Sequence, residues 1–252
     1  MIVEVRKAVL LFLTLFVAWH VLYCFTLVSP LSDYWLLAYI IVFVVEVCFF
    51  ILNRQKASDL GFTKTKAYKK CVAVGLMFAV FYNLYLIVIG TAMFSLEQPL
   101  TMRYELFTIF YNAFLALTIG VVEESAFRGY ILRNLAKAYS NDKAIAYSSL
   151  LFGIYHLSFV YIFTSPMSID ALFFWAVFVL FAFFSGLFLG YFYVNSDKTT
   201  VGTIAYHSAT IFIGSSISFN IAAPQIYQYI LSITFYIIAI LVLILFKRKR
   251  WL

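Results

Sequence analysis

The stretch Glu123-Glu124-Ser-Ala-Phe-Arg128 stands where a long apolar run passes into a basic one, and two histidines, in Phe152-Gly-Ile-Tyr-His156 and Tyr206-His207-Ser-Ala-Thr-Ile211, lie in later apolar runs. An ionisable side chain at the centre of a bilayer costs at least about 2.5–3.5 kcal/mol on insertion scales, so each one retained there needs a reason. On an α-helix, residues four apart are neighbours, so Glu124 faces Arg128 and can pair with it, while Glu123 projects about 100° away and is left free. A carboxylate with two imidazoles on separate helices suits two chemistries. In one, Glu123 is a general base that activates water, with one histidine steadying it and the other stabilising an oxyanion. In the other, Glu123, His156 and His207 hold a zinc ion whose bound water attacks a carbonyl. The H-E-x-x-H helix of common zinc peptidases is absent, so no known spacing selects the metal.

The remaining polar residues inside apolar runs read more plainly. His20 has no partner in sight and is expected to be a hydrogen-bonded helix contact. Glu46 is left open between a packing residue and one that faces a polar cavity. Cys24, Cys48 and Cys71 lie in or at the edge of apolar stretches without a C-x-x-C pair, and read as small buried hydrophobes.

These residues need a scaffold that lipid will accept. The chain has 65% hydrophobic and 12% charged residues and a mean hydropathy of +0.98, too little polar surface to cover a soluble globule. A hydrocarbon core of about 30 Å needs about 20 apolar residues at helical rise. Runs of that kind occupy 8–28, 34–52, 71–94, 104–122 continuing as a helix toward 139, 144–164, 171–194, 199–219 and 226–246. The expected fold is an all-α polytopic bundle of about eight transmembrane helices, since runs this long exclude a β-barrel. Arg6 and Lys7 ahead of the first run do not make a signal peptide, because no small-residue cleavage site follows and Tyr23 argues against a lipoprotein box at Cys24.

The net charge of +7 reads as a topological signal and not as a nucleic-acid surface. With the N-terminus inside, 17 of the 18 Lys and Arg fall on one side, and Arg103 alone falls on the other. Both termini are therefore expected to be cytoplasmic. No linker, low-complexity tract or repeat divides the chain, so residues 1–252 are expected to form a single transmembrane domain in the cell membrane, in contact with membrane lipid.

At its polar residues the sequence resembles the CPBP (CAAX protease and bacteriocin-processing, or Abi) family of intramembrane peptidases. That family carries E-E-x-x-x-R, F-x-x-x-H and H-x-x-x-N on successive helices, matched here by Glu123-Glu124…Arg128, Phe152…His156 and His207…Ile211. Phe127-Arg128-Gly129-Tyr130-Ile131-Leu132 and Leu189-Gly190-Tyr191 resemble the family's flanks. The likeness covers about 104–220. It implies hydrolysis of a peptide bond inside the membrane, with Glu123 as base, His156 helping it hold the attacking water, and His207 with the residue four further on binding the oxyanion. The family's label is metalloprotease, although the same residues are also read as a metal-free glutamate site. Here the last position is Ile211, which donates no hydrogen bond, and the loss of one oxyanion donor typically costs about 10²–10³ in rate. Thr210 and Asn220 are polar but lack the i+4 placement.

The leading expectation is an intramembrane endopeptidase acting on a peptide or protein substrate, in bacteriocin immunity, peptide maturation or CAAX-type processing. A non-catalytic membrane immunity or partner-binding protein is the alternative, supported by Ile211. A proton-relaying transporter is disfavoured by the lack of repeated halves and of matching broken helices. The peptidase reading requires the side chains of Glu123, His156 and His207 to converge within about 4–8 Å of one another.

Overall fold

A computed structural model describes residues 2–28, 35–63, 67–93, 101–102, 105–157, 169–218 and 225–247. The long apolar runs are helical, as expected of backbone that has no water to bond to. They are α1 (Ile2–Val28), α2 (Trp35–Leu52), α3 (Tyr68–Met93), α4 (Leu106–Glu124), α5 (Arg133–Ala138), α6 (Asn141–Tyr155), α7 (Ile169–Asn195), α8 (Val201–Ser216) and α9 (Gln225–Lys247). A short 3₁₀ turn, Ala57–Leu60, follows α2, and Thr101–Met102 pairs antiparallel with Ile217–Ser218 in a two-residue ladder.

Tyr68–Met93, Leu106–Ala138, Ile169–Asn195 and Ile226–Leu245 are each long and apolar enough to cross a membrane, with mean hydropathies from 1.7 to 2.5. Their outer faces are apolar too: Phe107 is 81% exposed and Ile169 85%. Such faces are stable only against hydrocarbon, and the molecule is an all-helical polytopic membrane protein.

Two packed clusters build the bundle. Leu11 and Leu15 of α1, Val42 of α2 and Phe152 of α6 enclose Phe127, Tyr130 and Ile131. Tyr82 of α3, Phe188 and Phe192 of α7, Tyr206 of α8 and Tyr236 of α9 form the second. Little hydrophobic driving force acts between helices already in lipid, so small residues that allow close approach carry much of the association. Gly75 of α3 faces the backbone of Gly202 in α8, where a Cβ would collide with the Gly202 carbonyl. Gly120 of α4 likewise meets Ser208 of α8. The second crossing sets the spacing between the helix that carries the two glutamates and the helix that carries His207.

One end of the bundle gathers charge. Lys137 pairs with Glu4 at 3.6 Å, Arg133 with Asp59 at 3.8 Å, and Arg133 also donates to the Ser58 carbonyl.

The helix continues past Glu124 to Ala138, as expected, but residues Ser125–Leu132 wind as a π-helix, all eight buried. Its register frees carbonyls that side chains then take up, with the Ser148 hydroxyl donating to Phe127 O at 3.0 Å and Asn134 Nδ2 to Tyr130 O at 2.9 Å. The helix expected to run through residue 164 ends at Tyr155, with His156 as its C-cap donating its backbone N–H to Gly153 O and Leu157 donating to Ile154 O, and residues beyond 157 up to 168 lie outside the described set. His156 thus sits at a helix end and not in mid-span. Cys48 is exposed while Cys71 is buried. The buried Glu46, Phe49 and Phe50 mark the inner face of α2, and position 48 points away from it. The side chain of Cys24 lies outside the described residues.

Candidate active site

Glu123, in the last turn of α4, is a carboxylate only 2% exposed. Its Oε2 lies 3.8 Å from His156 Nε2 and 3.8 Å from His207 Nε2, and it has no hydrogen-bond partner among the described residues. The three side chains therefore meet around one oxygen, at the short limit of the range expected. The other oxygen, Oε1, receives the Tyr39 hydroxyl of α2 at 3.3 Å.

Each imidazole is oriented from behind. His156 Nδ1 stands 2.8 Å from the carbonyl of Phe152, four residues earlier on α6. His207 Nδ1 stands 3.0 Å from Glu124 Oε1. Both partners only accept, so in the neutral rings the hydrogen is assigned to Nδ1 and the Nε2 lone pairs face Glu123.

Glu124 is fully enclosed. Its Oε1 accepts from Arg128 Nη1 at 2.9 Å as well as from His207, and its Oε2 has no partner among the described residues. The expected ion pair is present, and it has a second task that sequence spacing did not reveal: it holds the ring of His207. Phe152 gives the F-x-x-x-H spacing its physical sense. Its carbonyl fixes His156, while its ring lies 4.4 Å below the Arg128 guanidinium carbon in a cation–π contact. Arg128 also reaches the Gly186 carbonyl of α7 at 3.5 Å, so the cation braces three helices.

Other residues support this centre. Ser125 donates to Glu46 Oε1 at 2.6 Å and lies 2.7 Å from Val121 O, which makes Glu46, 1% exposed, a packing partner of the π segment. His20 is the helix contact expected: Nε2 lies 2.9 Å from the Leu157 carbonyl and so ties α1 to the segment next to His156. Tyr39 is the residue that sequence reasoning missed, because a tyrosine in an apolar helix carries no spacing signal. Ile211 follows His207 by one turn of α8, as the chain order requires, and Asn220 lies outside the described residues.

Two imidazole nitrogens and one carboxylate oxygen match the donor chemistry of zinc. Among the described residues no group of three His, Cys, Asp or Glu side chains is spaced to hold a metal ion.

Residues 105–213 match the family model described as type II CAAX prenyl endopeptidase Rce1-like. That segment contains α4, the π segment and all three motifs, and over it the resemblance to the CPBP peptidases is borne out. No curated protein matches the chain at a significant level.

Proposed function

We propose that this protein is an intramembrane endopeptidase of the cell membrane in which Glu123 is the general base, acting on a peptide substrate of the CAAX type. The observation that carries the reading is a buried carboxylate oxygen without a hydrogen-bond partner among the described residues, faced by two oriented imidazole Nε2 atoms at 3.8 Å each. Glu46 and Glu124 also carry a buried oxygen without a partner among the described residues, and what sets Glu123 apart is the pair of imidazole nitrogens that face its oxygen. Space between three acceptors suits a donor molecule, and water is that donor.

In this mechanism a water held by Glu123 Oε2 and His156 Nε2 gives one proton to Glu123 as its oxygen attacks the scissile carbonyl. The C–N bond then breaks, and the leaving nitrogen takes that proton back from Glu123, so the carboxylate is regenerated and one water is consumed. His207 lines the other side of the reacting carbon, its orientation fixed by Glu124 and Arg128. Burial keeps bulk water out and strengthens each of these contacts.

The test is incubation of purified protein in lipid with prenylated and unprenylated CAAX-type peptides and a broad peptide panel, with products read by mass spectrometry. Cleavage that survives dialysis against a chelator is expected. Loss that added zinc restores would make Glu123, His156 and His207 ligands instead, and no cleavage of any peptide would favour a non-catalytic binding or immunity protein.

A further inference from the structure

We propose that the Tyr39 hydroxyl is the oxyanion donor of this site, taking the part that Ile211 cannot play; the proposal rests on the peptidase reading above. An oxyanion needs N–H or O–H groups directed at it. Facing Glu123 Oε2 are two imidazole nitrogens that, in the neutral tautomers assigned above, carry no hydrogen, since each ring places it on Nδ1 against Phe152 O or Glu124 Oε1. The Arg128 guanidinium is engaged by Glu124, Gly186 and the Phe152 ring. Position 211 on α8 is an isoleucine. Among the described residues, the side chain that hydrogen-bonds Glu123 and brings a hydrogen into this space is Tyr39.

Its geometry suits the role. The O···O distance to Glu123 Oε1 is 3.3 Å, against a usual 2.7–2.8 Å for a hydroxyl bond. A contact this long holds the phenol near the site at small cost, and it can shorten onto a more strongly charged acceptor as the reaction proceeds. The ring is kept in place by Trp19 of α1, whose centroid is 4.9 Å away, and Trp19 in turn packs on Tyr155 at 6.1 Å. The substrate carbonyl would lie between Tyr39 and the histidines, with its oxygen within reach of the Tyr39 hydroxyl.

The experiment compares wild type, Tyr39→Phe, Ile211→Asn and the double variant Tyr39→Phe/Ile211→Asn in the full-length protein, with Glu123→Gln as the inactive reference. Tyr39→Phe should lower kcat by about 10²–10³ and leave KM nearly unchanged, because the hydroxyl acts on the transition state. It should weaken a phosphonamidate peptide analogue by a similar factor. Adding Ile211→Asn should recover at least about tenfold of the lost kcat by supplying a donor from α8. Unchanged kcat in Tyr39→Phe, while Glu123→Gln is inactive, would overturn the proposal and leave the peptidase reading standing. Loss of kcat with no rescue by Ile211→Asn and with equal weakening of substrate and analogue would make Tyr39 a structural residue. A loss confined to Thr210→Val or Tyr155→Phe would move the role there. Absence of cleavage by wild type would end both readings.

Discussion

The two adjacent glutamates do different work because their oxygens meet different partners. Glu124 is enclosed with Arg128 at 2.9 Å and His207 at 3.0 Å, so removing its carboxylate strands a buried cation and frees an imidazole. Breaking a buried pair by deleting one partner typically costs about 3–5 kcal/mol. Glu124→Ala should therefore lower the folded yield and thermal midpoint strongly, and whatever protein survives should also show reduced turnover because His207 is no longer held. Equal yield and equal midpoint for Glu124→Ala and wild type, by size-exclusion chromatography and thermal unfolding, would contradict this. The pairing of Glu124 with Arg128 was legible from four-residue spacing alone. Its bond to His207 was not, since no local pattern tells which of two neighbouring carboxylates a side chain from a distant helix will choose. Tyr39 was illegible for the same reason, and for another: among 19 tyrosines its position on α2 has nothing to mark it.

At the scale of elements, two features set the site that hydropathy does not report. The π segment Ser125–Leu132 begins at the residue after Glu124, and its freed carbonyls are met by Ser148 and Asn134. A hydrophobic run reads the same whether it winds as α or π, so the sequence pattern carries the helix through 139 without a break. The end of α6 at Tyr155 was hidden likewise, because apolar residues continue past the point where the helix stops. The crossing at Gly120 has a direct test. A side chain there must push Ser208 and α8 away, which moves His207 off Glu124 and Glu123. Gly120→Val should reduce peptide cleavage by at least about tenfold, as an ångström of misplacement is enough to cost that much or more. Gly214→Ala, on the same helix α8 but with open space around the added Cβ, should cleave as wild type does. Full activity of Gly120→Val in the same assay would show that the crossing does not set the site.

For the whole molecule, most of the architecture was legible. The helices Tyr68–Met93, Ile169–Asn195 and Gln225–Lys247 begin and end within a few residues of the runs read from hydropathy, because chain length against bilayer thickness is a strong constraint. The distribution of Lys and Arg also has a structural counterpart, since Glu4, Lys137, Asp59 and Arg133 meet at one end of the bundle. We propose that this end is cytoplasmic, with eight crossings and both termini inside. Single cysteines placed at Lys7, Ser58 and Lys198 in a variant lacking the native cysteines should be protected from a membrane-impermeant maleimide in intact cells and labelled after lysis. Labelling of any of the three in intact cells would break the arrangement.

The central claim is that Glu123 supplies the base. Under single-turnover conditions with purified protein in lipid, a cleavable peptide should be hydrolysed by wild type and not measurably by Glu123→Gln, although the variant retains the wild-type thermal midpoint and still binds the peptide. Glutamine keeps the shape and can accept a hydrogen bond, but it cannot take the proton of the attacking water. Hydrolysis by Glu123→Gln at a rate comparable to wild type would contradict the account.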